Sequence, residues 1–226
     1  MKFANTKMIV CDLDGTLVDS MGDFGVVAQG VLGEFFGMAP VEALAAYQRT
    51  SGLPFRFQVE SLFPKDGRNE MAAASFEARK KAGYAAKPFF PDVLQMVPEL
   101  VKRGYLFCVS SNNDQTNVIE KMATLSAYFS EILGFRPGFL KGKSHFDYVI
   151  QKYGYSPTDM LFIGDSLHDA KMAYENGVPF VARQGTFSRE AFLALHLPLV
   201  TTVTDFNRLS DCLEGNSIEA RHFGSR

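Results

Sequence analysis

Short, unbroken apolar runs alternate with longer amphipathic segments along much of the 226-residue chain. Unbroken apolar runs are typical of strands that are covered on both faces, whereas apolar spacing at i, i+3 and i+4 indicates helices. The predicted strands are 7–13, 105–110, 131–135, 160–164 and 178–182. The predicted helices that follow them are 92–103, 114–128, 144–153, 170–176 and 189–195. This alternation predicts an α/β fold with a Rossmann-like parallel sheet and helices on both faces.

The segment 20–90 breaks this rhythm because it contains no convincing strand pattern. Helical patterns occupy it instead, at 24–36, 41–49, 57–62 and 69–82. We therefore predict a core domain formed by 1–19 and 91–226, with 20–90 inserted as a helical cap over the edge of the sheet. The alternative is a set of extra helices within a single domain.

Polar groups follow the predicted strands at the points where they end. Asp12 and Asp14 come after the first strand, a serine pair after the second, and Asp165 and Asp169 after the fourth. The stretch "LKGKS" at 140–144 adds two lysines just before a predicted helix. Because ligands of open parallel sheets bind beyond the carboxyl ends of the strands, we expect these groups to converge on one edge.

Two choices in this set depend on where an element begins or ends. Ser110 is preferred to Ser111 because it is the first polar position after the apolar strand. Lys143 is preferred to Lys141 because it lies just before the predicted helix start at Ser144. Lys141 remains open as the alternative.

Clustered carboxylates of this kind are costly unless they share a cation. A small set of oxygen ligands suits Mg²⁺, which also binds substrate phosphates. A lysine and a serine hydroxyl nearby hold the remaining phosphate oxygens. One of the first two aspartates can then act as a nucleophile while the other transfers protons.

The stretch "DLDGT" at 12–16, Ser110, Lys143 and "GDSLHD" at 164–169 together resemble the four motifs of the haloacid dehalogenase superfamily. The segment 20–90 stands where members of the phosphoglycolate-phosphatase-like group carry a helical type-1 cap. Thr16 matches the usual phosphatase form of the first motif.

The resemblance implies a role for each motif residue. Asp12 is the expected nucleophile and Asp14 the expected general acid and base. Ser110 and Lys143 are expected to hold phosphoryl oxygens. Mg²⁺ is expected on Asp12, the backbone carbonyl of Asp14 and Asp165, with Asp169 as a water-mediated ligand or an orienting residue.

The substrate-binding residues are predicted from both parts of the chain. In the cap, "YQRTSGLPFRFQ" at 47–58 is interpreted as a specificity loop, in which Arg49 or Arg56 would meet a second anionic group of the substrate. Gly52 shapes its turn. In the core, the residues expected to border the site are Thr16, Ser111 and Asn112. His168 is expected to lie in a loop near the site without a catalytic role.

The function predicted is that of a Mg²⁺-dependent phosphatase acting on a small phosphorylated metabolite. Phosphoglycolate, sugar phosphates and nucleotides are equally compatible with the sequence. A sugar phosphomutase of the same superfamily and a non-catalytic binding module on this fold are the alternatives. A nucleotide-binding P-loop does not fit, because Gly138 and Gly142 have three residues between them and the P-loop requires four.

Composition narrows the choice of partners and compartment. The 23 basic and 25 acidic residues leave a net charge of −2, which gives no reason to expect a nucleic acid or an anionic membrane as partner. The cysteines at 11, 108 and 212 form no metal-binding or disulfide pattern, so a cytoplasmic protein is expected, as a monomer or weak dimer. The polar segment 214–226 is predicted to be ordered only in part.

Overall fold

The structure is a computed structural model that describes residues 3–197 and 200–214. Its centre is a six-stranded sheet in the order β3-β2-β1-β4-β5-β6, with every neighbouring pair parallel. The strands are β1 (Met8–Cys11), β2 (Leu106–Asp114), β3 (Glu131–Phe135), β4 (Met160–Gly164), β5 (Phe180–Arg183) and β6 (Val200–Val203). The strand order reverses direction at β1, and open α/β sheets bind their ligands at such a switch point.

Helices cover both faces of the sheet and fill the insertion. The helices before β2 are α1 (Met21–Phe36), α2 (Pro40–Thr50), α3 (Phe55–Leu62), α4 (Asn69–Tyr84) and α5 (Pro91–Lys102). The later helices are α6 (Gln115–Met122), α7 (Lys143–Tyr153), α8 (Leu167–Glu175), α9 (Arg189–Leu193) and α10 (Phe206–Leu213).

Side chains of the central strand alternate between two hydrophobic cores. Ile9 and Cys11 pack into the core that also contains the apolar faces of α1, α4, α5 and α10, whereas Met8 and Val10 pack into the core beneath α7 and α8. All four side chains are fully buried. Burial on both faces explains why the strand reads as an unbroken apolar run.

The insertion enters and leaves the core through two segments that pair with each other. Val18 forms an antiparallel bridge with Phe89. The Asp19 amide donates to the Pro88 carbonyl at 2.9 Å, and the Phe90 amide donates to the Leu17 carbonyl at 3.0 Å. The chain therefore enters and leaves helices α1–α4 at one place, so motion of the cap relative to the core would be concentrated there.

The predicted α/β fold with an inserted helical cap is confirmed, and the differences lie at the ends of elements. β2 continues to Asp114 rather than ending at 110. The helix predicted at 114–128 ends at Met122 and is followed by a 3₁₀ turn at Ser126–Tyr128. β6 and α10 were not predicted. From residue 215 onward, the predicted polar tail lies outside the described residues.

In the described ranges, no single helix is both long and apolar enough to cross a bilayer. Only α1 and α2 taken together meet that criterion, and the pair is bent by 114° at the break between them.

Candidate active site

Asp12 stands at the carboxyl end of β1, between the ends of β2 and β4. Its amide donates to the Ile163 carbonyl at 2.9 Å, which extends the pairing of β1 with β4 by one residue. Its side chain is buried, with 5% of the residue exposed. The sheet therefore fixes the backbone on which this carboxylate is carried.

A tight loop from Leu13 to Val18 follows and brings the chain close to the end of β4. Gly15 adopts a φ of +79°, and a Cβ at this position would lie 2.0 Å from Asp165 Oδ2. Only glycine satisfies both the left-handed backbone and this close approach. The loop conformation thus depends on the glycine of "DLDGT".

Three buried carboxylates face one another at this edge of the sheet. Asp12, Asp165 and Asp169 each offer one oxygen, and these oxygens all lie within 4.8 Å of one another. Burial raises the pKa of Asp12 to about 7, Lys141 opposes the rise, and Asp169 adds to it. Burial and the charges of Asp12 and Asp169 likewise raise the pKa of Asp165 well above its usual range.

Lys141 lies within this cluster. Its Nζ is 2.9 Å from Asp12 Oδ1 and 2.8 Å from Asp169 Oδ1. Burial alone lowers the pKa of Lys141, but the two carboxylates outweigh that effect and raise it. The lysine is therefore held as a cation between two acids.

Asp169 is oriented by the start of α8. Ser166, the N-cap residue, donates its hydroxyl to Asp169 Oδ2 at 2.7 Å and accepts from the Asp169 amide at 3.0 Å. One carboxylate oxygen thus belongs to the helix cap and the other faces Lys141. This arrangement fits the expectation of an orienting residue better than that of a metal ligand.

The preference for Lys143 over Lys141 was wrong about position. Lys143 is the first residue of α7, its side chain is 75% exposed, and it pairs with Asp147 one turn later at 2.6 Å. The helix begins one residue earlier than the predicted start at Ser144. Lys141, in the loop just before the helix, therefore takes the place expected of Lys143.

The preference for Ser110 over Ser111 was also wrong about position. β2 continues to Asp114, and its register with β3 shifts between Ser110 and Asp114. Ser110 is fully buried and its Oγ lies 2.8 Å from His145 Nδ1, whereas Ser111 lines the cavity beside Asp12. Ser111 is the serine that a ligand in this cavity would meet.

Asp14 lies at the cavity wall and is held from two sides. The Ser20 hydroxyl donates to its Oδ1 at 2.8 Å, and the Asn113 side-chain amide donates to its Oδ2 at 2.6 Å. Ser20 immediately precedes α1, the first helix of the cap. Asn113 lies at the end of β2 and also contacts Lys80 of α4, with Nζ 2.5 Å from its Oδ1. Ser20 and Asn113 thus connect Asp14 to the cap, as does Tyr84 of α4, whose side chain also hydrogen-bonds to it.

A cavity of about 80 Å³ opens over the carboxylates, between the core and the cap. The cap contributes aromatic side chains to its lining: Phe24, Tyr47, Phe55 and Phe76. The core contributes polar side chains: Asp12, Asp14, Ser111, Asn112, Asn113, Lys141 and Asp165. The small volume and the mixed aromatic and polar lining suit a small ligand with a polar end.

The cap loop around Gly52 rests directly on the core. Gly52 has a φ of +96°, and a Cβ there would lie 2.4 Å from Ser166 Oγ. Its carbonyl accepts from the Asn112 side chain at 3.5 Å, and Asn112 Oδ1 accepts from the Lys141 amide at 3.2 Å. Asn112 therefore links the cap loop to the loop that carries Lys141.

Three of the expected substrate-binding residues do not line this cavity. Thr16 is fully buried behind it. Arg49 is exposed on α2. Arg56 is largely exposed beside Glu70 and lines a separate groove. His168, expected in a loop, lies in the first turn of α8 and is absent from the cavity lining. Arg49 and Arg56 do not reach the cavity, because the turn at Gly52 directs the loop backbone, rather than the arginine side chains, toward the core.

Several residues at the site were not singled out from the sequence. Asn113 and Lys80 contact each other beside Asp14. Thr186, in the loop after β5, donates a hydrogen bond to Asp165 Oδ2. The signal available for Asn113 was its place in the polar run "SSNND" after an apolar strand, whereas Lys80 and Thr186 carried no distinguishing local pattern.

The chain resembles known proteins over most of its length. It is 27% identical to a phosphoglycolate phosphatase of Haemophilus influenzae over 188 residues, which cover 77% of this chain and 84% of the relative. It is 26% identical to a phosphoglycolate phosphatase of Mannheimia succiniciproducens, with 76% and 82% covered. A haloacid dehalogenase-like hydrolase from Streptococcus pneumoniae superposes with a TM-score of 0.75 at 22% identity, covering 91% of this chain and 98% of that one. Residues 9–183 match the family of haloacid dehalogenase-like hydrolases, and the chain belongs to that family.

Proposed function

We propose that the protein is a Mg²⁺-dependent phosphomonoesterase that hydrolyses a small phosphorylated metabolite through a phosphoaspartate formed on Asp12. The observation that carries the proposal is the buried group of Asp12, Asp165 and Asp169 around Lys141 at the cavity. Three carboxylates against one ammonium leave excess negative charge on buried groups. A divalent cation is the natural complement of such a site.

The donor atoms fit Mg²⁺ because they are carboxylate oxygens, few in number and clustered. Asp12 and Asp165 would hold the ion, since Asp169 is engaged by Ser166 and Lys141. When bound, the cation would neutralise charge on the transferring phosphoryl group.

In the proposed reaction, Asp12 is the nucleophile. Its carboxylate faces the cavity at the end of a fixed strand, and Lys141 lies against one of its oxygens. Attack of the other oxygen on phosphorus forms the Asp12–phosphoryl bond and releases the alcohol. In the proposed reaction, Lys141 and the Ser111 hydroxyl donate to the phosphoryl oxygens and stabilise the charge that develops in the transition state.

In the proposed reaction, Asp14 transfers protons. It would give a proton to the leaving alcohol oxygen in the first step and take one from the attacking water in the second. Water then breaks the Asp12–phosphoryl bond and restores the free carboxylate. The bonds from Ser20 and Asn113 fix the direction in which Asp14 points.

We also infer that 20–90 acts as a cap domain that closes on the substrate. Aromatic side chains on α1, α2, α3 and α4 shield the cavity from solvent, and the paired segments at Val18 and Phe89 supply one hinge. Closure would exclude water during transfer to Asp12, and opening would release the products. The cytoplasmic location and the monomeric or weakly dimeric state stay predictions.

Hydrolysis of an aryl phosphate, measured with and without Mg²⁺, tests the function. We expect phosphate release that depends on the metal, and its loss in Asp12→Asn, which keeps the shape of the side chain but removes the nucleophile. Absence of phosphate release from the folded protein at any Mg²⁺ concentration would refute the proposal. Conversion of a sugar phosphate into its isomer, rather than into free phosphate, would favour the phosphomutase alternative.

A further inference from the structure

Lys80 projects from α4 of the cap into the cavity. Its side chain is only 13% exposed. Its Nζ lies 5.2 Å from the centre of the Phe24 ring and 5.8 Å from that of Phe76, so the charge rests against two aromatic faces that also line the cavity. Among the described residues, the cations in this lining are Lys80 and Lys141.

The two lysines have different surroundings. Lys141 is occupied by Asp12 and Asp169 at the phosphoryl end of the cavity. Lys80 contacts Asn113 Oδ1 at 2.5 Å and Glu77 Oε2 at 3.1 Å. An ammonium carries three N–H donors, so these contacts leave one donor for a ligand in the cavity.

We propose that Lys80 forms an anion subsite in the cap and selects phosphomonoesters whose leaving group carries a carboxylate. This inference rests on the proposed phosphatase function, and it identifies Lys80 as the residue that recognises the leaving group. Asn113 contacts both Lys80 and Asp14, so a group bound at Lys80 lies next to the acid that protonates the leaving oxygen.

Charge and size support a carboxylate at this position. Asp12, Asp14, Asp165 and Glu77 all line the cavity, so an anionic leaving group would be repelled without a cation facing it. The cavity volume of about 80 Å³ suits an ester with a leaving group of a few atoms. In a site shielded from water, the attraction between an ammonium and a carboxylate is stronger than at the surface.

A matched pair of substrates isolates the effect of the carboxylate. The probes are 2-phosphoglycolate and 2-hydroxyethyl phosphate. The leaving group ends in a carboxylate in the first and in a hydroxymethyl group in the second, and the two esters are otherwise the same. The measured quantity is the ratio of kcat/KM for the first to kcat/KM for the second. We expect wild type to prefer the carboxylate ester, and Lys80→Met to lower the ratio by about 10- to 100-fold, the effect of one hydrogen bond to a charged group.

Two further variants complete the test. Lys80→Arg keeps the charge and is expected to restore part of the ratio. Lys81→Met removes the neighbouring, exposed lysine of the same helix and is expected to leave the ratio as in wild type. A purely structural role for Lys80 would change both substrates in proportion and leave the ratio intact.

The outcomes separate this inference from the function on which it rests. If wild type hydrolyses an aryl phosphate but shows no preference for 2-phosphoglycolate, or hydrolyses neither small ester, the subsite is refuted and the phosphatase function stands. An unchanged ratio in Lys80→Met also refutes the subsite. Failure to release phosphate from the aryl phosphate in the presence of Mg²⁺ refutes the function itself.

Discussion

Lys141 Nζ lies 2.9 Å from Asp12 Oδ1, although the two residues are 129 positions apart in the chain. The same ammonium is 2.8 Å from Asp169 Oδ1. The contact therefore connects the end of β1, the loop before α7 and the start of α8. Its position beside the proposed nucleophile makes Lys141 the cation that a phosphoryl group at Asp12 would meet.

Replacement of Lys141 should reduce phosphatase turnover far more than replacement of Lys143. We expect Lys141→Met to lower kcat by about 10²- to 10³-fold, the effect of removing one donor that stabilises transition-state charge. Lys143→Met should stay within about twofold of wild type, because an exposed residue in a surface ion pair contributes little. Equal losses in the two variants would contradict the placement of the phosphate-binding lysine, and circular dichroism checks that both variants fold.

Asn113 should control the efficiency of Asp14. Asn113→Ala removes the 2.6 Å bond to Asp14 Oδ2 and leaves the carboxylate held by Ser20 and Tyr84. We expect kcat to fall by about 10- to 100-fold, as misplacement of a catalytic group does. Asn117→Ala, on the neighbouring helix α6, is the matched control and should keep the wild-type kcat.

The fold followed from the sequence wherever a strand is buried on both faces. The first five strands have unbroken apolar runs, such as "MIVC" in β1. β6 lies at the edge of the sheet and pairs only with β5, so the threonines in "VTTV" are tolerated and no unbroken run marks it. β3, at the opposite edge, also has an apolar run, so the threonines of β6 rather than its edge position remove the signal.

Of the residues at the site, only the carboxylates could be located from the sequence alone. Asp12 and Asp165 directly follow apolar strands, so their convergence required only the parallel order of the sheet. The sequence-based preferences were Ser110 and Lys143, whereas the structure has Ser111 and Lys141 at the cavity. A shift of one residue along the strand decides which serine faces the cavity, and the first residue of α7 decides which lysine does. Lys80 lies in "ARKKAG", where the packing of α4 alone determines which lysine faces inward.

Thr186 should tune metal affinity through Asp165. Its hydroxyl hydrogen bond opposes the rise in the pKa of Asp165 that burial and the charge of Asp12 cause. Loss of the donor should make that carboxylate harder to ionise and less well oriented. We expect Thr186→Val to weaken Mg²⁺ binding by about 10- to 100-fold, the usual effect of losing a partner of a metal ligand.

The binding is measured directly by calorimetry on the substrate-free protein at a fixed pH. Thr186→Ser keeps the hydroxyl and should bind Mg²⁺ nearly as wild type does. If Thr186→Val binds the metal with wild-type affinity, Asp165 does not need this hydrogen bond to act as a ligand.

Stability should fall in mild acid because of His145. This histidine lies in the first turn of α7, fully buried beside Ser110, and burial lowers its pKa to about 4. The unfolded chain binds a proton near pH 6.5 and the folded chain only near pH 4, so the free energy of unfolding declines as the pH is lowered through this window. The decline attributable to this group is at most about 3 kcal/mol, from 1.36 kcal/mol per pKa unit.

Urea unfolding of wild type and His145→Asn at several pH values between 7 and 4 measures this decline. The difference in unfolding free energy between the two should shrink toward pH 4, whereas His196→Asn, at an exposed histidine, should follow wild type throughout. A constant difference between wild type and His145→Asn across the window would show that His145 does not cause the decline.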